Sequence, residues 1–413
     1  MPSFAIKTFG CRLNRAESAG FQAALASAGW TEVPFGEPAE VCILHTCAVT
    51  ANAEKECLRA IRLARARQPG AFIVVTGCAV EAGAVERLLR LGASLVVAHP
   101  DRGELPRLVL EKFPAAAVSE EPPPPPLPVR PPLKVQDGCS FFCSYCIVPH
   151  TRGAPVSRPL DECLDEAARL VAAGHRELVV TGCNLACYAD GGCRLPGLLA
   201  ELQKLPGLGR LRIGSLEPGI NEVEIARSMP GSPKLCRFLH LPVQSGATEV
   251  LKRMGRRYTA GELRRRLDEI CAAVPRIGLG ADLITGFPGE TDEDFAKTRR
   301  LVEDYPFSNL HVFPYSERPG TPAAEFPGQL PVSERKRRAA ELIELRKDKR
   351  AAFAASWVGR EVEVLVERNR NRVSTGWTGE YLPVKISGVL PVGALVTVRV
   401  ERADGETLLV NAK

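Results

Sequence analysis

The sequence predicts an α/β protein in three parts: an N-terminal doubly wound parallel sheet, a central partial (β/α)6 barrel and a small C-terminal β-barrel. Three observations carry this. Short β-rich runs alternate with helical stretches through the first hundred residues, alternate again six times from Leu133, and give way after Trp357 to β periodicity alone. A proline-rich segment, 115–132, separates the first two parts, and 413 residues are too many for one ordinary domain. The expected boundaries are 1–114, 133–355 and 356–413.

In the first part each β-rich run ends in a cysteine. Residues 4–9 lead to Gly10-Cys11, 41–45 to Thr46-Cys47, and 72–76 to Gly77-Cys78, with helical stretches near 15–28 and 52–67 between them. Ligands of such sheets bind beyond the carboxyl ends of the strands, so the three thiols should converge on one edge. Three buried core cysteines are the bland alternative. The next segment holds Pro122 to Pro126, Pro128, Pro131 and Pro132, which can form neither helix nor central strand. It should be a stiff spacer rising about 3.1 Å per residue.

Strands of the central part are expected near 133–136, 177–180, 211–214, 238–241, 278–284 and 309–313, with chemistry on the loops that follow them. The first such loop reads Cys139-Ser-Phe-Phe-Cys143-Ser-Tyr-Cys146. A disulfide would use two of these thiols and strand the third, whereas one loop can wrap all three around a single metal centre. Structural zinc wants four closed ligands, and no His or Cys follows at finger spacing. An iron–sulfur cluster with one open iron fits better.

Fourteen cysteines, no signal-peptide pattern and no run near the roughly eighteen apolar residues of a membrane span point to a cytoplasmic protein whose thiols are ligands or core residues rather than disulfides. Apolar residues at 45% and charged residues at 25% are ordinary for a soluble globular chain. The net charge of +6 permits a polyanionic partner without demanding one. Basic residues gather at Lys252, Arg253, Arg256, Arg257, Arg264, Arg265 and Arg266, and again between Arg335 and Arg350. Solvated helix faces would explain both groups, and nucleic-acid phosphates are the sharper expectation.

The Cys-x3-Cys-x2-Cys loop with Tyr145 before its last thiol resembles the signature of the radical S-adenosylmethionine (SAM) enzymes. That resemblance implies a [4Fe–4S] cluster whose open iron chelates SAM and whose electron releases a 5′-deoxyadenosyl radical. Gly10-Cys11-Arg-Leu-Asn14, Thr46-Cys47-Ala-Val-Thr50 and Thr76-Gly77-Cys78 are similar to the motifs of the methylthiotransferases within that superfamily. The likeness implies a second [4Fe–4S] cluster on Cys11, Cys47 and Cys78; His45 departs from the Asn usual there. It also implies SAM contacts at Thr181 and Gly182 after the second strand, Ser215 and Glu217 after the third, Gln244 after the fourth and Asp282 at the fifth. Singly, such groups could be turn and cap residues. Cys183, Cys187 and Cys193 invite a third metal site, but the family supplies none and loop thiols are often inert, so they are read as free thiols.

The tail, with strands near 362–366, 381–386, 395–400 and 407–410, resembles the RNA-binding TRAM domain that ends these enzymes. Its eight basic and seven acidic residues nearly balance, so any RNA grip should rest on Arg368, Arg370, Arg372 and Trp377. The implied reaction is methylthiolation of a tRNA adenine at C2, which requires tRNA, an electron donor such as flavodoxin or ferredoxin, and a sulfur donor. Cys11-Arg-Leu-Asn14, the Ala-Val-Thr after Cys47 and the stretch from His311 to Thr321 look most like the branch acting on N6-threonylcarbamoyladenosine beside the anticodon. Alternatives are N6-isopentenyladenosine in tRNA, an aspartate of a ribosomal protein, or a non-enzymatic iron–sulfur RNA-binding or redox-sensing role.

Overall fold

The structure is a computed structural model that describes residues 2–81, 85–99, 101–114 and 128–411. Most of the expected proline spacer lies outside the described residues. Two compact units emerge, the first from Met1–Pro128, Asp137–Pro155 and Ser316–Ala324, the second from Val129–Gln136, Val156–Tyr315 and Glu325–Lys413.

In the first unit β1 (Ser3–Thr8), β2 (Thr31–Glu32), β3 (Val41–Thr46), β4 (Phe72–Gly77) and β5 (Leu95–Val97) form one sheet in the order β2-β1-β3-β4-β5, with parallel pairing throughout. Its helices are α1 (Arg12–Ser27), α2 (Ala51–Arg67), α3 (Cys78–Glu81), α4 (Val85–Arg90), α5 (Leu105–Lys112) and α6 (Val148–Arg152). Strand alternation sorts the faces. Phe4, Ile43 and Val74 pack with Phe21 and Leu25 of α1 and with Leu105 and Val109 of α5, while Ala5, Leu44 and Val75 pack with Leu58 and Ile61 of α2 and Leu88 of α4. Helices therefore cover both faces, as a doubly wound sheet requires, and β3 is buried along its whole length.

The second unit holds the expected six barrel strands: β6 (Pro132–Asp137), then, after the short β7 (Val156–Ser157), β8 (Glu177–Gly182), and, after the hairpin β9 (Ala189–Asp190) and β10 (Cys193–Arg194), β11 (Arg210–Ile213), β12 (Phe238–Gln244), β13 (Gly278–Thr285) and β14 (Phe307–Pro314). They pair as β11-β8-β6-β7 and β12-β13-β14. Isolated parallel bridges, Leu211 to Leu235 and Ser215 to His240, join the two sheets. Leu133, Leu178, Leu211, Leu239, Leu279 and Leu310 supply the strand side of one continuous core. Covering helices are α7 (Leu160–Ala172), α8 (Leu195–Gln203), α9 (Glu222–Ser228), α10 (Thr248–Arg253), α11 (Ala260–Ala273), α12 (Asp292–Asp304) and α13 (Val332–Ala355). Thr259 and Thr291 open α11 and α12 with capping boxes.

Beyond α13, β15 (Glu361–Arg370), β16 (Val373–Thr378), β17 (Pro383–Ser387), β18 (Leu395–Arg399), β19 (Arg402–Asp404) and β20 (Thr407–Asn411) curl into a half-barrel of order β18-β15-β16-β17-β20-β19. Its core holds Trp357, Val364, Leu382, Ile386 and Leu408. Tyr381, expected in a strand, instead takes φ +68° in a turn. Buried Glu177 fixes this sheet to the barrel strands. Its carboxylate accepts from Arg210 and Arg212, which also donate to the Trp377, Thr378 and Gly379 carbonyls at 2.9–3.1 Å. Burial would raise the Glu177 pKa, yet the two guanidiniums outweigh it and hold the group down to about 2.

Candidate active site

Within the first unit, Cys11, Cys47 and Cys78 stand just past the carboxyl ends of the neighbouring parallel strands β1, β3 and β4. Cys11 is the exposed N-cap residue of α1, while Cys47 directly follows β3 and Cys78 follows β4 as the first residue of α3; both are buried. Burial, reinforced by the neighbouring Cys78 and Cys11 thiols, pushes Cys47 up to about 11. Gly10, at φ +89°, makes the approach possible, because a Cβ there would sit 2.8 Å from Cys47 Sγ. A cluster at this strand edge would take the three sulfurs as thiolates, whose mutual repulsion the iron would offset.

The second triad sits on the loop after β6. Cys139 N–H donates to Gly153 O at 3.0 Å and Cys146 N–H to Cys143 O at 2.9 Å, folding the loop back on itself. Phe142 between them is 61% exposed and strained at φ +49°, as residues at functional loops often are. Ala323 N–H reaches Ser144 O at 2.8 Å, and Arg318 pairs with Glu54 of α2 at 2.7 Å. The stretch Ser316–Ala324 thus braces both the cysteine loop and the helix that follows Cys47.

Arg152 of α6 ties the two triads' supports into one network. Its guanidinium, 2% exposed, donates to Glu17 Oε1 (2.9 Å), Asp137 Oδ1 (2.9 Å) and Asn14 Oδ1 (2.7 Å). The Asn14 amide donates in turn to Phe9 O (2.9 Å) and Thr46 O (3.0 Å), the carbonyls flanking Gly10-Cys11 and Cys47. Glu17 also accepts from Arg102 and lies 3.3 Å from His45 Nε2. Burial would raise the Glu17 pKa, but His45 and Arg152 hold it far below the ordinary carboxylate range. Burial lowers the His45 pKa, and its Nδ1 meets Ser18 Oγ at 2.9 Å, so this departure from the family motif is built into the network.

In the second unit Gly182, Ser215, Glu217 and Gln244 stand at or just past the carboxyl ends of β8, β11 and β12. Thr181 is buried inside β8, and Gln136 Oε1 accepts from Asn184 N–H at 2.8 Å. Gln244 is buried at φ +68° where the β12–β13 register shifts, an outlier of the kind that collects at ligand clamps. Glu217 is buried against Arg256 at 2.7 Å, and burial raises its pKa. Asp282 lies inside β13 rather than at its end, where Oδ1 accepts from His240 and His311.

Sequence reasoning missed Arg152, Asn14, Glu17 and the two histidines as site residues. A single ionisable residue inside an otherwise apolar strand was the available signal for His240 and for Asp282. Several residues of the two basic clusters have protein partners. Arg256, Arg264 and Arg266 pair with Glu217, Asp304 and Glu222; Arg338 is buried against Glu290; Arg335 is buried donating to main-chain carbonyls; Arg337, Lys347 and Arg350 pair with Glu334, Glu344 and Glu406. Buried partners hold Arg256, Arg335 and Arg338, whereas Arg264, Arg337 and Lys347 pair at the surface. Trp377 is half-buried. Its ring stacks on Tyr381 at 4.8 Å and carries Arg130 at 5.4 Å, while Arg368, Arg370 and Arg372 are exposed.

Residues 133–302 match the Radical SAM superfamily and residues 3–97 the uncharacterized protein family UPF0004. The chain is 35% identical to the threonylcarbamoyladenosine tRNA methylthiotransferase MtaB of Chlamydia pneumoniae, covering 98% of this chain and 97% of that one. The enzyme of the same name from Bacillus subtilis is 33% identical, over 98% and 94%. A tRNA-2-methylthio-N(6)-dimethylallyladenosine synthase from Cereibacter sphaeroides is 37% identical, over 88% and 87%. Among solved structures, the radical SAM methyltransferase TsrM of Kitasatospora setae shares the fold at TM-score 0.56 and 17% identity, over 78% of this chain and 77% of that one. The chain belongs to the radical SAM methylthiotransferases. It is an enzyme of that class, whose chemistry rests on a [4Fe–4S] cluster and SAM. Among the described residues no helix is long and apolar enough to cross a membrane.

Proposed function

We propose that this enzyme converts N6-threonylcarbamoyladenosine beside the anticodon of tRNA to its 2-methylthio derivative. Cys139, Cys143 and Cys146 hold the radical-generating cluster, and Cys11, Cys47 and Cys78 hold a second [4Fe–4S] cluster that carries the sulfur. The observation that carries this is one compact unit containing both cysteine triads, braced through Arg152 and Asn14. Relatives named for the threonylcarbamoyl substrate match over nearly the whole chain and favour it over the dimethylallyl substrate.

When bound, the clusters and SAM supply the methyl group and the 5′-deoxyadenosyl radical that removes the adenine C2 hydrogen. The protein's own part is to hold and orient. Asn14 fixes the backbones that present Cys11 and Cys47, and Arg152 fixes Asn14. Tyr145, Thr181, Gly182, Ser215, Glu217, Gln244 and Asp282 shape the SAM side, with Glu217 fixed by Arg256. Arg368, Arg370 and Arg372 on the β15–β16 hairpin meet tRNA phosphates. Functional divisions fall at 1–114, 133–355 and 356–413, and a low-potential electron carrier and a sulfur donor complete the cycle in the cytoplasm.

Anaerobic reconstitution tests this. The protein should bind two clusters' worth of iron and, with SAM and a reductant, form the 2-methylthio nucleoside on threonylcarbamoylated tRNA. Product on isopentenylated tRNA alone would transfer the assignment to that substrate.

A further inference from the structure

In the first unit β2 is two residues long and pairs only with Ser3 and Phe4, so the later residues of β1 have no strand beside them on that edge. Ala5 packs toward α2, and strand alternation puts Lys7 on the same face, with Phe9 continuing it just past the strand. Phe35, in the loop after β2, packs against the same core. Between these residues and α2 an open groove of about 410 Å³ is left. Its apolar lining includes Phe9, Phe35 and Leu63, the last 40% exposed, and its charge is three cations, Lys7, Arg59 and Arg67, against one carboxylate, Glu56.

On α2, Arg59, Leu63 and Arg67 recur every four residues and so share one stripe of the helix. Arg65 shows what a structural arginine does on this helix: its guanidinium donates to the Pro69, Ala71 and Gly92 carbonyls. The groove's cations have no such use. Among the described residues the side chains of Arg59 and Arg67 make no hydrogen bond or ion pair, and Lys7 lies 5.9 Å from the Phe9 ring. Lys55 and Arg62, elsewhere on α2, are exposed and likewise unpaired. Arg256, Arg335 and Arg338 are held by buried partners, whereas the cations of α2 face solvent.

We propose that this groove binds an unpaired nucleotide of the tRNA anticodon loop, its base against Phe9 and Phe35 and its flanking phosphates on Arg59 and Arg67. The proposal rests on tRNA being the substrate, as above, and adds an RNA-binding face to the unit that carries the cysteines. Aromatic faces accept any base and cations track the backbone, so the two together suit single-stranded RNA. A hydrocarbon ligand would cover three cations without pairing them, and a small inorganic anion would leave the rings unused. Phe9 stands two residues before Cys11, so a loop nucleotide seated here lies next to the strand end that presents that cysteine.

Fluorescence anisotropy with a labelled anticodon stem-loop and the reconstituted holoenzyme tests this, each variant being checked for native circular dichroism and iron content. The double variant Arg59→Ala/Arg67→Ala should weaken binding about tenfold and lower the log–log salt slope by about 1.4, the share of two single-strand phosphate contacts. Leu63→Glu, at an exposed position, should weaken binding by about tenfold or more, because it sets a carboxylate beside phosphate. Arg107→Ala/Lys112→Ala removes the same charge from α5, which covers the other face of the sheet, and should leave affinity within about twofold. Native affinity and slope in the Arg59→Ala/Arg67→Ala enzyme would overturn the groove while leaving the substrate assignment intact. An equal loss in the α5 variant would reduce the effect to net charge and overturn it as well. Native enzyme that fails to bind the stem-loop would overturn the substrate assignment and the groove with it. Adenosine monophosphate supplies the last arm, by calorimetry: binding to native enzyme that is lost in Arg59→Ala/Arg67→Ala, with stem-loop affinity unchanged, would overturn the RNA reading in favour of a free nucleotide.

Discussion

Replacing Arg152 with Met should damage the enzyme in two separable ways. The side chain is 2% exposed and donates to two carboxylates and an amide, so its loss leaves Glu17 and Asp137 buried with fewer partners. Breaking a buried pair from one side costs about 3–5 kcal/mol, of which Arg102 and His45 beside Glu17 recover part. An exposed pair on the same chain sets the scale: Arg90 and Glu86 are 72% and 89% exposed, and Arg90→Met should move stability by less than about 0.5 kcal/mol. Urea unfolding followed by circular dichroism reads the first effect. Iron per chain after reconstitution reads the second, because Asn14 loses the bond that orients its amide toward Phe9 O and Thr46 O; iron should fall toward one cluster's worth. A loss below about 1 kcal/mol together with full iron content would refute the bracing role of Arg152.

Cys47→Ala should halve the iron and abolish product, read by iron assay and nucleoside analysis of the same sample. Glu177→Gln should destabilise the chain by about 3 kcal/mol at neutral pH, since two buried guanidiniums lose their counter-charge. The sign with pH follows from the lowered pKa. The Glu177 contribution is complete above its ordinary value near 4.5 and disappears as pH falls through about 2, so the gap between native enzyme and variant in urea titrations should narrow only across that acid window. Arg368, Arg370 and Arg372 changed together to Ala should lower the salt dependence of tRNA binding by about two to three in log–log slope. An unchanged slope would remove the hairpin from the RNA face.

The strand positions, and the placing of Cys11, Cys47 and Cys78 just past the ends of neighbouring parallel strands, were legible because period and spacing are local properties. The β16 strand escaped, since Val-Ser-Thr-Gly-Trp-Thr lacks a continuous apolar alternation and only its antiparallel partner β15 makes it a strand. Charge misled for a related reason. Arg335 and Arg338 read as part of a basic helix face, yet they are buried against groups that sequence distance hides, the Tyr315 carbonyl and Glu290. The Arg152 network spans 138 residues to reach Asn14, and no motif spacing announces it. Polar networks closed by tertiary contact carry most of what the sequence withheld.

The central claim is tested most directly by mass spectrometry of tRNA nucleosides from a strain lacking this gene, with and without the gene restored. Loss of 2-methylthio-N6-threonylcarbamoyladenosine on deletion and its return on complementation is the expected result. An unchanged level of that nucleoside, with loss of the isopentenyl analogue or of neither, would contradict it.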